Sequence, residues 1–283
     1  MPPLIGDCIM VFPLINILKK IYDVTLLCNE YVYETVKLMQ FPLNTKLLSD
    51  DYTLVNIIID FLSNNKSAKY IQHLKPNCSI GFKDGFWNYD YLLKQPSEFV
   101  LEPASSIFLY ALQILGIKLN TISDFSSSYK WEYLNQKKIL LAPSAGNIDR
   151  CFSIDDFIHV RNELKDKDIV FLLGPKDKNI RYNIPSEYEI IETDTIAETM
   201  AVLSSAILVI ASEGGFMHIA ASYGIPLIGL FKVASPTNWF PYLNPNQFAI
   251  GEGTNNYTAM NKETLNTALL IEKANEIYGS IRN

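Results

Sequence analysis

Short apolar runs alternate with amphipathic segments through the second half of the chain. The runs are rich in leucine or β-branched residues and lie at 138–143, 168–174, 188–192, 206–211 and 226–231. They lack the apolar–polar alternation of half-exposed strands, which is typical of parallel strands buried on both faces. Between them, Ser153 with Asp156 and Thr195 with Glu198 match the capping-box pattern of helix starts. The pattern predicts a βαβ succession that forms a parallel sheet covered by helices.

The first half has a similar pattern. Apolar runs predict strands at 24–28, 54–60 and 78–82, and amphipathic segments predict helices near 10–20, 66–74 and 105–115. We expect these elements to form a second parallel sheet.

A polar, serine-rich stretch at 123–138 is the best candidate for a linker. Apolar positions spaced by three or four residues from Leu265 to Ile281 predict a C-terminal helix. The chain is therefore predicted to be an α/β protein with two domains, residues 1–128 and 129–283.

Composition narrows the function classes. The chain has 283 residues, of which 48% are hydrophobic, a proportion that supports folded domains. A net charge of −6 argues against a nucleic acid as the partner. The four cysteines form no CxxC pair, so we expect free thiols in a reducing, cytoplasmic compartment rather than a disulfide framework or a zinc site. No apolar run reaches the length needed to cross a bilayer, so we expect contact with a membrane at its surface only.

Two loops that follow predicted strands carry residues suited to an anionic ligand. In "SEGGFMH" (212–218), the amides of Gly215, Phe216 and Met217 open the next predicted helix and could bind phosphate. The alternative is a tight turn in which His218 packs on the first helical turn. In "APSAGNIDRCFS" (142–153), Ser144 and Arg150 would suit a diphosphate. Taken alone, that segment favours the alternative of a solvated arginine on a loop.

A third feature lies at the N-terminus. Gly6 and Asp7 precede the first predicted helix. Asp7 is either an N-cap residue or a general base that faces a ligand cleft.

Taken in order, these segments resemble glycosyltransferase family 9, the heptosyltransferase family of lipopolysaccharide biosynthesis. The family's donor motif is similar to "EGGFMHIAASYGIPLIGLF" (213–231), with Gly215, His218, Gly224 and Pro226 in register. Three further segments resemble family motifs: "GDCIMVFPLINILKK" (6–20), "IIIDFLSNNKSA" (57–68) and "APSAGNIDRCFS". Four positions depart from the family pattern, with Glu213 for aspartate, Gly214 for a hydroxyl residue, Arg150 for lysine and Phe152 for tryptophan.

The resemblance implies a GT-B fold, in which two Rossmann-like domains flank a cleft and bind acceptor and donor, respectively. It implies an inverting transfer of a sugar, heptose from ADP-heptose, with Asp7 as catalytic base. The implied donor-site residues are Ser144, Arg150, Glu213, Gly214, Gly215, Phe216 and His218. The implied acceptor-side residues are Asp60 and Lys66.

The resemblance also implies the partners and the location. The acceptor would be a lipid-linked or lipopolysaccharide-type glycan at the cytoplasmic face of the inner membrane. No metal and no cofactor besides the donor are implied, and "DKD" at 166–168 is interpreted as a solvated turn rather than a manganese motif.

The family pattern also has a strand before the Gly-Asp pair, and this chain has only "MPPLI" there. We therefore expect either that the true start of the chain lies upstream of Met1 or that the N-terminal domain lacks its first strand. Two alternatives remain open, a degenerate relative that binds nucleotide or glycan without turnover and another GT-B enzyme such as a nucleotide-sugar epimerase.

Overall fold

The computed structural model describes residues 5–39, 44–47, 55–61, 65–81, 88–93, 111–117, 138–177, 179–241, 246–251 and 264–282. The chain divides into two compact units, residues 1–126 and 127–283. Which substrate each unit binds stays a prediction.

The N-terminal unit begins with an apolar helix. Helix α1 spans Ile5–Leu18 and is buried along almost its whole length. Strand β1 (Thr25–Cys28), helix α2 (Glu30–Leu38) and strand β2 (Asn44–Leu47) follow, and β1 pairs with β2 in parallel. Helix α2 starts at Asn29, whose side chain accepts a hydrogen bond from the amide of Val32, as expected of an N-cap.

A second group of elements follows along the chain. These are β3 (Ile57–Ile59), α3 (Asn65–Leu74), β4 (Cys78–Gly81) and β5 (Tyr91–Leu92). The three strands form a parallel sheet in the order β3-β4-β5. The predicted strands at 24–28, 54–60 and 78–82 are confirmed, but the described strands form two small sheets where one was expected.

Several predictions for this unit concern residues outside the described ranges. Residues 1–4 lie there, so the expectation of a missing first strand stays a prediction. Of the helix predicted at 105–115, residues 111–114 are helical and 105–110 are not described. The predicted linker is described only at Lys138, which begins the next strand.

The C-terminal unit contains one larger sheet. Its strands are β6 (Lys138–Ala142), β7 (Ile169–Leu173), β8 (Ile190–Glu192), β9 (Ala206–Ser212), β10 (Leu227–Leu230) and β11 (Gln247–Ile250). Its helices are α4 (Ile154–Glu163), α5 (Ile196–Ser204), α6 (Gly215–Ser222), α7 (Pro236–Trp239) and α8 (Thr267–Arg282). The five strands predicted here and the C-terminal helix are confirmed.

The strand order is β8-β7-β6-β9-β10-β11, and every pair is parallel. The chain first builds outward from β6 through β7 to β8, then returns to place β9 on the other side of β6. This doubly wound arrangement has its topological switch point between β6 and β9, and in such sheets ligands bind outside the carboxyl ends of the strands at that point.

Helices cover both faces of this sheet. Every residue of β7, β9 and β10 is buried, and β9 contacts both α6 and α8. Because water is excluded from both faces, these strands are continuous apolar runs. The resulting core gives the carboxyl edge of the sheet a fixed base from which its loops project.

Side chains at the starts of two helices fix their first turns. Ser153 and Asp156 form the predicted capping box at α4. At α5, Thr195 accepts from the amide of Glu198 as predicted, whereas the Glu198 carboxylate accepts from the amide of Asp194. The Glu198 side chain thus bonds the amide of the residue before the N-cap, whereas in a capping box it would bond the amide of the N-cap residue itself.

Candidate functional site

The two predicted ligand loops meet at the switch point. The hydroxyl of Ser212, at the end of β9, donates to the carbonyl of Pro143, just after β6, over 2.8 Å. A Cβ atom added to Gly214 would lie 3.4 Å from the Cβ of Ala145. The structure therefore brings the segments 142–153 and 212–218 together at the carboxyl edge of the sheet.

The first amides of helix α6 have no backbone acceptor within the helix. Its first intrahelical bond runs from the amide of His218 to the carbonyl of Gly214, over 3.2 Å. The amides of Gly215, Phe216 and Met217 precede that bond and have no acceptor within the helix. Together with the positive end of the helix dipole, they favour binding of an anion.

The backbone conformation at position 214, the N-cap of α6, does not require a glycine. Its φ is 177°, an extended value that any residue can adopt, and a Cβ there would make ordinary contact with Ala145. The backbone at Gly214 therefore does not by itself require a glycine, and the close approach of a ligand at this position stays a prediction. Glycine leaves α6 without a side-chain cap, so the backbone amides supply the donors at this end.

Glycine at position 174, after β7, leaves room for a neighbouring aromatic ring. A Cβ there would overlap the ring of Phe216. The ring of Phe216 thus lies against the end of β7, while its amide lies at the start of α6.

Ser144 is held by a residue that the sequence analysis did not identify. Its hydroxyl donates to Oδ2 of Asp177 over 2.6 Å, and the amide of Gly174 donates to the same oxygen over 2.9 Å. Ser144 is buried. Asp177 therefore ties the loop after β6 to the loop after β7, and Ser144 takes part in that link.

Glu213 holds the loop that follows β10. Its Oε1 accepts from the amide of Val233 over 3.1 Å and its Oε2 accepts from the amide of Ala234 over 2.9 Å. The side chain is 2% exposed. An ionised carboxylate is a strong acceptor for backbone amides, so these bonds fix the loop to the end of β9.

Arg150 and His218 are electrostatic neighbours. Arg150 ends a single 3-10 turn, Ile148–Arg150, which Asn147 caps through its side chain. Burial first, and the charge of Arg150 second, lower the pKa of His218 to about 4. Nδ1 of His218 is buried and has no hydrogen-bond partner within the described part of the chain. His218 is thus neutral near pH 7, and Arg150 supplies positive charge at this edge.

The buried histidine predicts a pH dependence of stability. Between pH 7 and pH 5 the unfolded chain protonates this histidine, whose ordinary pKa is 6.5, whereas the folded chain does not. The free energy of unfolding should therefore fall by about 2 kcal/mol from this residue alone as the pH falls. Urea unfolding at the two pH values should show this loss in the wild type and a smaller one in His218→Met.

His159 offers the matched control, since it is exposed on α4 of the same unit. His159→Gln should keep the wild-type pH dependence. An unchanged pH dependence in His218→Met would contradict the lowered pKa.

Lys232 is a second residue that the sequence analysis missed. It is the second residue after β10, and its Nζ donates to the carbonyl of Cys151 over 2.9 Å. The ammonium also lies 6.0 Å from the ring centroid of Phe152. The sequence could have indicated both Asp177 and Lys232 as candidates, because each is a charged residue placed soon after a buried strand.

In the N-terminal unit, Asp7 lies within helix α1. The helix begins at Ile5, so the expectation that Gly6 and Asp7 form a turn before the helix is wrong, and Asp7 is not an N-cap residue. The apolar sequence from Ile5 onward favours continuing the helix, and an acid in the first turn is favoured by the helix dipole. Asp7 is half-buried, between buried Gly6 and buried Cys8.

The two acceptor-side candidates differ in environment. Asp60 follows β3, is 6% exposed, and accepts from the hydroxyl of Tyr89 over 2.6 Å. Tyr89 in turn packs against Gly81, where a Cβ would overlap its ring. Lys66 is exposed in the first turn of α3.

The described ranges contain neither a metal-binding cluster nor a helix that could span a membrane. In the described ranges, no group of three or more His, Cys, Asp or Glu residues is arranged to hold a metal ion. Within the same ranges, no helix has both the length and the apolar character needed to cross a bilayer. The segment 166–168 forms a turn before β7, where Asp166 pairs with Lys167 over 3.0 Å.

Solved structures share this fold across nearly the whole chain. A glycosyl transferase family 9 protein from Veillonella parvula DSM 2008 has a TM-score of 0.78 at 14% identity, covering 99% of this chain and 96% of that one. ADP-heptose lps heptosyltransferase II of E. coli gives 0.73 at 14% identity, covering 100% and 98%. E. coli heptosyltransferase WaaC, solved with ADP, gives 0.72 at 13% identity, covering 98% of each chain.

Sequence comparison identifies the family. Curated proteins gave no match. The model of glycosyltransferase family 9 (heptosyltransferase) matches residues 43–269, which is most of the chain. The chain therefore belongs to glycosyltransferase family 9, as its resemblance predicted, and it is a glycosyltransferase with the GT-B fold.

Proposed function

We propose that this glycosyltransferase transfers heptose from ADP-heptose to a lipopolysaccharide-type acceptor, with inversion at the anomeric carbon and without a metal ion. The observation that carries the donor site is the meeting of the α6 amides with the Arg150 loop at the switch point of the C-terminal sheet. That position, the helix N-terminus and a nearby arginine each favour a diphosphate.

In the proposed reaction, different residues act on the attacking hydroxyl and on the leaving diphosphate. The acceptor hydroxyl attacks the anomeric carbon, the bond from that carbon to the donor phosphate oxygen breaks, and ADP leaves. Asp7 takes the proton of the attacking hydroxyl as general base. The amides of Gly215 and Phe216, with Arg150, stabilise the negative charge that grows on the leaving diphosphate.

The remaining donor-side residues support this site indirectly. Ser144 acts through its bond to Asp177, and Glu213 through its bonds to the loop after β10. His218 is neutral and buried in the first turn of α6, which suits a residue that supports the helix start better than one that transfers a proton. Lys66 and Asp60 are assigned to the acceptor side by the family resemblance.

The choice of donor follows from the family and from the shared fold. Two E. coli proteins with this fold are named as heptosyltransferases, and one was solved with ADP. We propose a cytoplasmic enzyme that meets a lipid-linked acceptor at the inner membrane surface. The four free cysteines agree with a reducing compartment.

Nucleotide binding tests the donor site directly. In a thermal-shift panel of ADP, UDP, GDP and CMP, we expect ADP to raise the melting temperature most, because a ligand that binds only the folded state stabilises it. Arg150→Met should weaken ADP binding by roughly 10- to 100-fold, the range expected when hydrogen bonds between a cation and a phosphate are lost. Titration calorimetry would measure that loss.

Arg161 gives a matched control for the arginine variant. It lies on α4 over the ring of Tyr188, so Arg161→Met should bind ADP as the wild type does. No melting shift with any nucleotide would refute the donor site. Strong ADP binding without heptose transfer to a lipopolysaccharide core acceptor would instead favour a binding protein without turnover.

A further inference from the structure

Lys232 connects two loops at the carboxyl edge of the C-terminal sheet. It belongs to the loop after β10, and its Nζ bonds to the carbonyl of Cys151 in the loop after β6, 81 positions away in sequence. Cys151 directly follows Arg150. The lysine therefore holds the backbone at the residue next to the proposed phosphate ligand.

The loop that carries Lys232 is itself fixed. Glu213 accepts from the amides of Val233 and Ala234, the two residues after Lys232. The amide of Glu213 also donates to the carbonyl of Leu230 at the end of β10, over 2.9 Å. The backbone on both sides of Lys232 is thus tied to the segment that opens α6.

The Arg150 side of the link is a single 3-10 turn. The amide of Arg150 donates to the carbonyl of Asn147 over 3.1 Å, and the amide of Cys151 donates to that of Ile148 over 2.9 Å. These bonds, and those of the Asn147 side chain and the Cys151 thiol, lie within the turn, so the bond from Lys232 adds a restraint from a neighbouring loop. The Lys232 bond restricts the turn at the end nearest Arg150.

We propose that Lys232 is a positioning residue of the donor site, which acts by holding the Arg150 turn in register with the start of α6. Glu213 fixes the loop of Lys232, Lys232 fixes Cys151, and Arg150 and the α6 amides are thereby held as one binding surface for the diphosphate. This inference rests on the proposed function of the site.

Lys232→Met tests the role, because methionine keeps a similar length and loses the ammonium. We expect affinity for ADP to fall by about 5- to 10-fold. Affinity for adenosine should stay within about twofold, because the proposed contacts of Arg150 are with the phosphates and not with the nucleoside. Lys232→Arg, which can still donate to the Cys151 carbonyl, should recover most of the lost affinity. Lys165→Met is the control, as Lys165 is exposed in the turn before β7, at the opposite edge of the sheet.

A double-mutant cycle separates positioning from direct contact. If Lys232 acts through Arg150, Lys232→Met should cost little further ADP affinity in an Arg150→Met background. Additive losses would overturn the positioning role, as would wild-type ADP affinity in Lys232→Met. A parallel loss of ADP and adenosine binding would also overturn it, since that result indicates general damage.

The same measurements separate a failure of the proposed function from a failure of the Lys232 role. If Lys232→Met does not fold, Lys232→Gln, which retains a donor without the charge, takes its place in the same cycle. If the wild type binds no nucleoside diphosphate, the proposed function fails. If the wild type binds ADP and the lysine variants do not differ from it, only the role of Lys232 fails.

Discussion

Asp7→Asn should lower the rate of heptose transfer by about 10²- to 10⁴-fold, the usual contribution of a general base. Asparagine has nearly the same shape as aspartate but cannot accept the proton of the attacking hydroxyl. Because the proposed donor site lies on other residues, the affinity for ADP should stay within about twofold of the wild type. Initial rates with ADP-heptose and a lipopolysaccharide core acceptor, together with ADP titration, would measure both quantities.

Asp23→Asn is the matched control for this change. Asp23 is an exposed acid shortly after α1 in the same unit, and its loss should leave the transfer rate unchanged. Full activity in Asp7→Asn would remove Asp7 as the base. Equal losses of transfer rate in the two variants would indicate that the rate depends on the net charge of the N-terminal unit and not on proton transfer to Asp7.

Gly251→Ala should lower the free energy of unfolding by about 2–6 kcal/mol. Gly251 follows β11 with a φ of +129°, which other residues rarely adopt, and a Cβ there would overlap the carbonyl oxygen of Phe231. A strained backbone and an overlap with a rigid backbone atom each cost about 1–3 kcal/mol. Urea unfolding monitored by circular dichroism would measure the loss.

Gly279→Ala provides the opposite case. Gly279 lies within α8, and nothing lies within 4 Å of an added Cβ. Alanine should therefore stabilise the helix by roughly 0.5–1 kcal/mol. Similar unfolding curves for the two variants would show that the close approach of Gly251 to Phe231 has little energetic weight.

The strands of the C-terminal unit could be predicted because burial on both faces makes them apolar throughout. The residues of β9 are all buried, and its run "AILVIA" (206–211) stands out in the sequence. Strand β11 was missed because it begins with Gln247 and only half of its residues are buried. In the N-terminal unit β5 contains two residues, Tyr91 and Leu92, which is too short a run to indicate a strand from sequence.

Positions of the ligand loops could also be predicted, but the side-chain partners within them could not. Sequence order places Ser144 and Glu213 after strands, whereas their bonds to Asp177 and to the Val233 and Ala234 amides depend on how neighbouring loops pack. Those contacts join residues far apart in the chain, and no local spacing encodes them.

The start of α1 shows a different cause of error. From the sequence, Gly6 and Asp7 are expected to precede the first helix, because aspartate is favoured at an N-cap. In the structure the apolar character of the segment prevails, and Gly6 and Asp7 become part of the helix. The carboxylate therefore projects from regular secondary structure, which gives it a more restricted orientation than a turn would.

The packing of Phe216 against Gly174 limits how the two positions can vary in evolution. A side chain at 174 would enter the space of the Phe216 ring, so the ring would have to move or be replaced by a smaller residue. A substitution at 174 therefore alters the packing of residue 216. Since Phe216 also opens α6, sequence variation at the end of β7 is linked to the shape of the proposed diphosphate site.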